Sequence, residues 1–201
     1  MFKIGLSGNR FSGKDTISKL FREISIPVFD ADVIVKFILN YNYEIFDDIK
    51  KSIGDKYMNK DYTINLNLIN KDNKFGEVLK VIEGDVFRAY QKFENKHKKS
   101  IYTIFNSSVL YESNWNKKMD KNITVYAPFI ERVERAKISL KGQYHNRTTI
   151  NSLLSYEMDE LDKNKKGDHV IHNYNEFNIK KQVMDIDQTI INNYLNYDYA
   201  Q

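Results

Sequence analysis

Residues 5–21 read GLSGNRFSGKDTISKLF. Gly8, four residues, then Gly13-Lys14 is the spacing of a phosphate-binding loop, in which backbone N–H groups and a helix N-terminus face an anion and the lysine reaches its outer phosphates. The context agrees with the pattern. Ahead of the loop, FKIGLSG is a short apolar strand ending in small residues. Behind it, Ile17, Leu20 and Phe21 recur at helical spacing, and SIPVFDAD reads as a turn and a second buried strand. Strand, glycine loop, helix and strand make a βαβ unit. One residue departs from the pattern: Asp15 stands where such loops carry a serine or threonine hydroxyl for Mg²⁺. A carboxylate also suits Mg²⁺, but close to a phosphate it repels unless a cation lies between. The reading makes Gly8, Asn9, Arg10, Phe11, Ser12, Gly13, Lys14, Asp15 and Thr16 the nucleotide-binding residues. Asp15 is the candidate metal ligand, and Thr16 the hydroxyl for an α-phosphate.

Further along, residues 31–50 read as helical, and the polar, Asn-rich stretch 56–74 as connections. Phe75, Val78, Leu79, Ile82, Val86 and Tyr90 mark one long amphipathic helix over 75–98. SIYTIFN and NITVYAP are apolar enough for buried parallel strands. PFIERVERAKISL and TINSLLSYEMDELDK read as helices on either side of the polar turn KGQYHNR. DHVIHN is a fifth strand and IKKQVMDIDQTIINNYL a closing helix. Strands alternating with helices predict an α/β fold with a five-stranded parallel sheet, whose ligands gather at the carboxyl ends of the strands. The polar residues at those ends are the loop, Asp30 and Asp32, Asn106 to Ser108, and Asn173, which joins the nucleotide-binding set.

The 201 residues allow one domain with a proper core. No cysteine is present, which removes disulfides, thiolate catalysis and cysteine-held metals and fits a reducing cytoplasm. Charge is +4 and interspersed, so nucleic-acid binding is not indicated; the basic run NKHKKS (95–100) reads as a solvated helix end. No apolar run reaches membrane-span length, and the opening strand runs straight into the loop without a leader pattern. The four histidines lack metal-ligand spacing. Trp115, Phe87, Tyr90 and Phe93 could stack on a ligand, although a core role is the plainer reading.

GLSGNRFSGKDTISKLF followed by IPVFDADVIVKFI resembles the start of the dephospho-coenzyme A kinase family, whose second strand ends Asp-Ala-Asp. IFNSSVLYES is similar to that family's third strand with its Pro-Leu-Leu-Phe-Glu continuation, and HVIHNYNEFNIKKQV to its last strand and helix. The resemblance implies a three-layer P-loop NTPase fold with a core at 1–30, 101–128 and 166–201, a helical substrate-binding insertion at 31–100 and a lid at 129–165. It implies transfer of the γ-phosphate of ATP, with Mg²⁺, to the ribose 3′-hydroxyl of dephospho-coenzyme A. Asp32 would be the catalytic base and Lys14 the catalytic cation, in a cytoplasmic monomer or small homo-oligomer. Asn106 stands where many members carry an acid, Gly84 and Asp85 where they carry His-Pro, and Lys141 and Arg147 are the substitutes for lid cations. The SGKDT loop also resembles phage deoxynucleoside monophosphate kinases, for which Arg88 or Lys92 would hold the acceptor's phosphate. A non-catalytic nucleotide-binding module is the third reading.

Overall fold

A computed structural model of the chain describes residues 1–61, 63–139 and 158–198. Two compact units emerge, one formed by 1–28 and 97–201 and the other by 29–96.

The first unit is built on a parallel sheet of five strands in the order β2-β3-β1-β4-β5. The strands are β1 (Phe2–Gly8), β2 (Val28–Asp30, which leads into the second unit), β3 (Tyr102–Asn106), β4 (Lys121–Tyr126) and β5 (His169–His172). In register, Ile4 lies beside Ile104 and Leu6 beside Ile123, so apolar side chains line up across neighbouring strands. All five residues of β3 are buried, as expected for an inner strand covered on both faces. On one face Ile4, Leu6, Tyr102, Ile104, Ile123, Val125 and Ile171 pack with residues of α1 (Lys14–Glu23) and of the closing helix, called α8 below (Ile179–Asp198). Each such side chain contributes about 1.5–3 kcal/mol when fully buried. On α1 the buried positions are Ile17, Ser18, Leu20 and Phe21, the spacing read from sequence. Trp115 is 1% exposed and meets Phe105 edge-on at 5.8 Å, a core role.

The second unit consists of helices: α2 (Ala31–Tyr41), α3 (Tyr43–Ile53), α4 (Leu66–Lys71) and α5 (Phe75–Lys96). The sequence reading of one helix over 31–50 is corrected here. Asn42 leaves helical geometry with φ −105° and ψ 98°, and its side chain accepts the Glu44 N–H, ending α2 and capping α3. Within the stretch read as connections, Asn65 caps the short α4 by accepting the Leu68 N–H. The apolar face of α5 is buried as predicted, with Tyr90 1% exposed and packed on Phe29.

Returning to the first unit, α6 (Phe129–Ser139) and α7 (Glu160–Lys165) precede β5. The turn KGQYHNR, with Lys141 and Arg147, and most of the helix read at TINSLLSYEMDELDK lie outside the described residues; α7 is the end of that segment. Among the described residues no helix is long and apolar enough to cross a membrane.

Candidate active site

The turn from β1 into α1 is held by two close approaches. A Cβ on Gly8 would stand 2.5 Å from Ser12 Oγ and 2.8 Å from the Val125 carbonyl, so only a bare backbone lets the loop fold back over the strand ends. Gly13 has φ +91°, and a Cβ there would meet Asn173 Nδ2 at 2.0 Å. Between them the Ser12 N–H donates to the Asn9 carbonyl (3.0 Å). Phe11 occupies the left-handed region with φ 62°, a conformation that costs an ordinary side chain about 1–2 kcal/mol. Packing of its ring on Val133 and Ala136 of α6 offsets that cost.

The carbonyl oxygens of the loop are tied back by side chains distant in sequence. Arg132 Nη1 donates to the Arg10 carbonyl (3.2 Å). Arg135 Nη1 donates to the carbonyls of Phe11 (3.2 Å) and Ser12 (3.1 Å), and its Nη2 to that of Asn173 (2.6 Å). Asn173 Nδ2 donates to the Ser12 carbonyl at 2.7 Å. Because the N–H of a trans peptide points opposite its C=O, fixing the carbonyls of Arg10, Phe11 and Ser12 also fixes the directions of the N–H groups of Phe11, Ser12 and Gly13, of which that of Ser12 goes to the Asn9 carbonyl. Asn9 adds a bond from its Nδ2 to the Met158 carbonyl (2.9 Å), and Glu160 of α7 pairs with the buried Arg132. Both α6 and α7 therefore rest on the loop.

Lys14 is the first residue of α1 and is 8% exposed. Its Nζ donates to Asn106 Oδ1 (2.8 Å), at the end of β3, and to Asp15 Oδ1 (3.3 Å). The ammonium is thus placed at the end of β3 by a buried amide and bordered on its open side by the Asp15 carboxylate. Asp15 has 83% of its side chain exposed, with Oδ1 turned to the Lys14 ammonium. Thr16 is exposed, and its N–H closes the first helical turn on Gly13 (2.9 Å). The α1 N-terminus has no side-chain cap at Gly13, and the positive end of its dipole favours an anion there. Beyond Asn106, the buried Lys163 of α7 pairs with Glu112 (2.9 Å) and donates to the Ser108 carbonyl (3.2 Å).

Asp30 and Asp32 belong to the second unit. Asp30 is the N-cap of α2, its Oδ1 accepting the Val33 N–H (3.4 Å), and Asp32 sits in the first turn, half-buried. Arg88 pairs with Asp85, one turn away on the same helix.

A sequence model of the dephospho-CoA kinase (CoaE) family matches residues 2–178, which takes in the loop, all five strands and Asn173. The chain belongs to the dephospho-CoA kinase family. It is therefore a P-loop kinase, a family that uses ATP. A dephospho-CoA kinase of Buchnera aphidicola is 29% identical over 185 residues, 90% of this chain and 86% of that one. Among solved structures, TT1252 from Thermus thermophilus superposes with a TM-score of 0.74 at 20% identity, covering 94% of this chain and 96% of its own. The dephospho-CoA kinase from Campylobacter jejuni gives 0.56 at 19% identity, with the same coverage. At such identities the two structures speak for the fold alone.

Of the residues singled out in the sequence, the structure gathers Gly8 to Thr16, Asn106 and Asn173 at one end of the sheet. Arg132 and Arg135 are the residues that the sequence reading missed. Their signal was weak but present: within ERVERAK they flank the buried Val133 and precede the buried Ala136, placing Arg132 on the inward face of its helix.

Proposed function

We propose that this member of the dephospho-CoA kinase family transfers the γ-phosphoryl group of ATP to the ribose 3′-hydroxyl of dephospho-coenzyme A. The observation that carries the donor half is Lys14: a buried ammonium at the end of a glycine loop whose carbonyls are held by arginine side chains. The acceptor half rests on family membership.

In the reaction the acceptor oxygen attacks the γ-phosphorus, its proton passes to the Asp32 carboxylate, and the bond to the β-phosphate oxygen breaks to release ADP. Loop N–H groups and the α1 N-terminus bind the β-phosphate, and Lys14 stabilises charge on the phosphoryl group in transit. Asp30 caps α2 and so orients the turn that carries Asp32. Residues 29–96 act as the acceptor-binding unit, and 129–165 as a lid whose two described ends, α6 and α7, abut the loop.

The donors near the loop suit Mg²⁺. Asp15 offers an exposed hard-oxygen ligand next to the place where phosphates enter, and Mg²⁺ in kinases is held by one or two carboxylates together with substrate phosphates and water. Asp15 would be its protein ligand, and the ion would neutralise charge on the phosphates. The absence of cysteine supports a cytoplasmic setting.

The decisive assay measures ATP consumption against dephospho-coenzyme A and the four deoxynucleoside monophosphates. Turnover with dephospho-coenzyme A, giving a product whose new phosphate is removed by a 3′-nucleotidase, is expected. Turnover with a deoxynucleoside monophosphate alone would replace the acceptor, and none with any acceptor would leave a binding module. Asp32→Asn should keep ATP affinity and lose turnover by about 10²-fold or more; a collapse of ATP binding instead would refute its role as base.

A further inference from the structure

Two arginines of α6 donate to backbone carbonyls of the phosphate loop, Arg132 while also pairing with the Glu160 carboxylate. Arg135 is the more unusual, since one guanidinium spans three acceptors: Phe11, Ser12 and Asn173. Phe11 lies in the left-handed region and Gly13 at φ +91°, so the loop path alternates between conformations that the chain would not keep by itself. A planar fork with fixed donor directions can hold two successive carbonyls and a third on β5's exit, which a flexible ammonium cannot. The same fork places a full positive charge against the backbone of the loop.

We propose that Arg135 is a positioning residue for phosphate binding: it acts through the carbonyls of Phe11, Ser12 and Asn173 to hold the loop in its anion-receiving form, before nucleotide arrives. The proposal rests on the phosphate-loop reading of residues 8–16 and adds the group that preorganises the loop. Its consequence is a mechanical link. Arg135 stands on the helix that opens the 129–165 segment, so displacement of α6 loosens the loop, and a filled loop favours α6 in place.

The test uses the full chain and four variants: Arg135→Lys, Arg135→Ala, Lys137→Ala and Lys14→Ala. Lys137 is exposed on the same helix, paired with Glu134, and serves as a control for loss of one charge. ATP affinity is measured by titration, and amide hydrogen exchange over residues 9–13 is followed without nucleotide. Both Arg135 variants should exchange faster in this segment and bind ATP more weakly by about tenfold or more, the scale expected for lost hydrogen bonds from a charged donor. Methylguanidinium should restore part of the affinity of Arg135→Ala, and Lys137→Ala should change neither reading. Unaltered loop exchange in the Arg135 variants would overturn the proposal. So would ATP binding by Arg135→Lys equal to the parent's, since charge alone would then suffice. If Arg135→Ala fails to fold, Arg135→Lys decides by the same two measurements. Parental ATP affinity in Lys14→Ala would remove the phosphate-loop reading itself, and this proposal with it. Weak binding by Lys14→Ala with parental behaviour of both Arg135 variants would leave that reading standing and the proposal refuted.

Discussion

The two units bury different chemistry. Among the described residues, every buried polar or charged side chain lies in the unit made of 1–28 and 97–201: Lys14, Asn106, Arg132 and Lys163 among them. In 29–96 the buried residues are apolar or aromatic, such as Ile49, Ile69, Val78, Leu79 and Ile82, and ion pairs such as Lys50–Asp55 and Arg88–Asp85 sit at the surface. Burying a polar group costs free energy unless its partners are built in with it. The first unit accepts that cost along its sheet and at the loop, where Asn9, Ser12, Lys14, Asn106 and Arg132 are buried together. The second needs only its apolar faces to hold its helices together, and its exposed stripe Val33, Phe37 and Tyr41 on α2 shows that its surface is not held to the same polar accounting.

If the contrast is functional, damage to the buried polar groups of the first unit should fall on nucleotide handling, and damage to the helix backbone and packing of the second, away from Asp32, on stability. The largest effect is expected from Lys14→Ala, which removes the ammonium aimed at the transferring group and should lower the kinase rate by about 10²-fold or more; steady-state assays with saturating acceptor check it. Gly13→Ala comes next. Its Cβ would drive into Asn173 and its φ is unfavourable for alanine, so ATP affinity measured by titration should fall by about tenfold, with the loop strained by a few kcal/mol.

Asp15→Ser probes the carboxylate next to the phosphates. Being mostly exposed, Asp15 acts through a water-like dielectric, so the variant should bind ATP in chelator more tightly by about 1 kcal/mol. The difference should shrink with Mg²⁺ present. Equal affinities in chelator would mean that the carboxylate faces away from the phosphates.

Gly84→Ala is the matching change in the second unit. Gly84 lies inside α5, where an added Cβ meets nothing closer than Arg88 Nη1 at 3.4 Å. It should raise stability by about 0.5–1 kcal/mol in denaturant titrations and leave ATP affinity alone. A loss of affinity would break the contrast between the units.

The smallest effect concerns pH. Burial holds His169 below its ordinary 6.5, with the Asp168 charge opposing and Lys121 assisting. The unfolded chain then binds the proton more readily, so this contribution is complete above pH 6.5 and is lost as pH falls from there toward the depressed native value. Thermal melts between pH 7 and 5 should drift down in the parent and less so in His169→Gln.

Much of the first unit was legible because its signals are local. Gly8, Gly13 and Lys14 fall within seven consecutive residues, and the strands on either side carry their buried apolar residues close together, Ile4 and Leu6 before the loop and Val28 and Phe29 after α1. The break at Asn42 was not legible, since the apolar spacing of Val35, Ile38, Ile45 and Ile49 continues across it and only the backbone turn separates the helices. Short α4 was hidden for the opposite reason: six residues in a polar, Asn-rich stretch carry too little periodicity to stand out.

By itself the sequence determined the parallel α/β sheet, the phosphate loop and the long α5, because periodicity and glycine spacing are properties of neighbouring residues. Tertiary structure alone decided which groups hold that loop. Arg132 and Arg135 lie more than a hundred residues from the loop carbonyls of Arg10, Phe11 and Ser12 that they bind, and an arginine on an amphipathic helix carries no local mark of where its donors will go. Only the folding of α6 against the turn after β1 brings guanidinium and carbonyl together, since a hydrogen bond depends on distance and angle in space and not on separation along the chain.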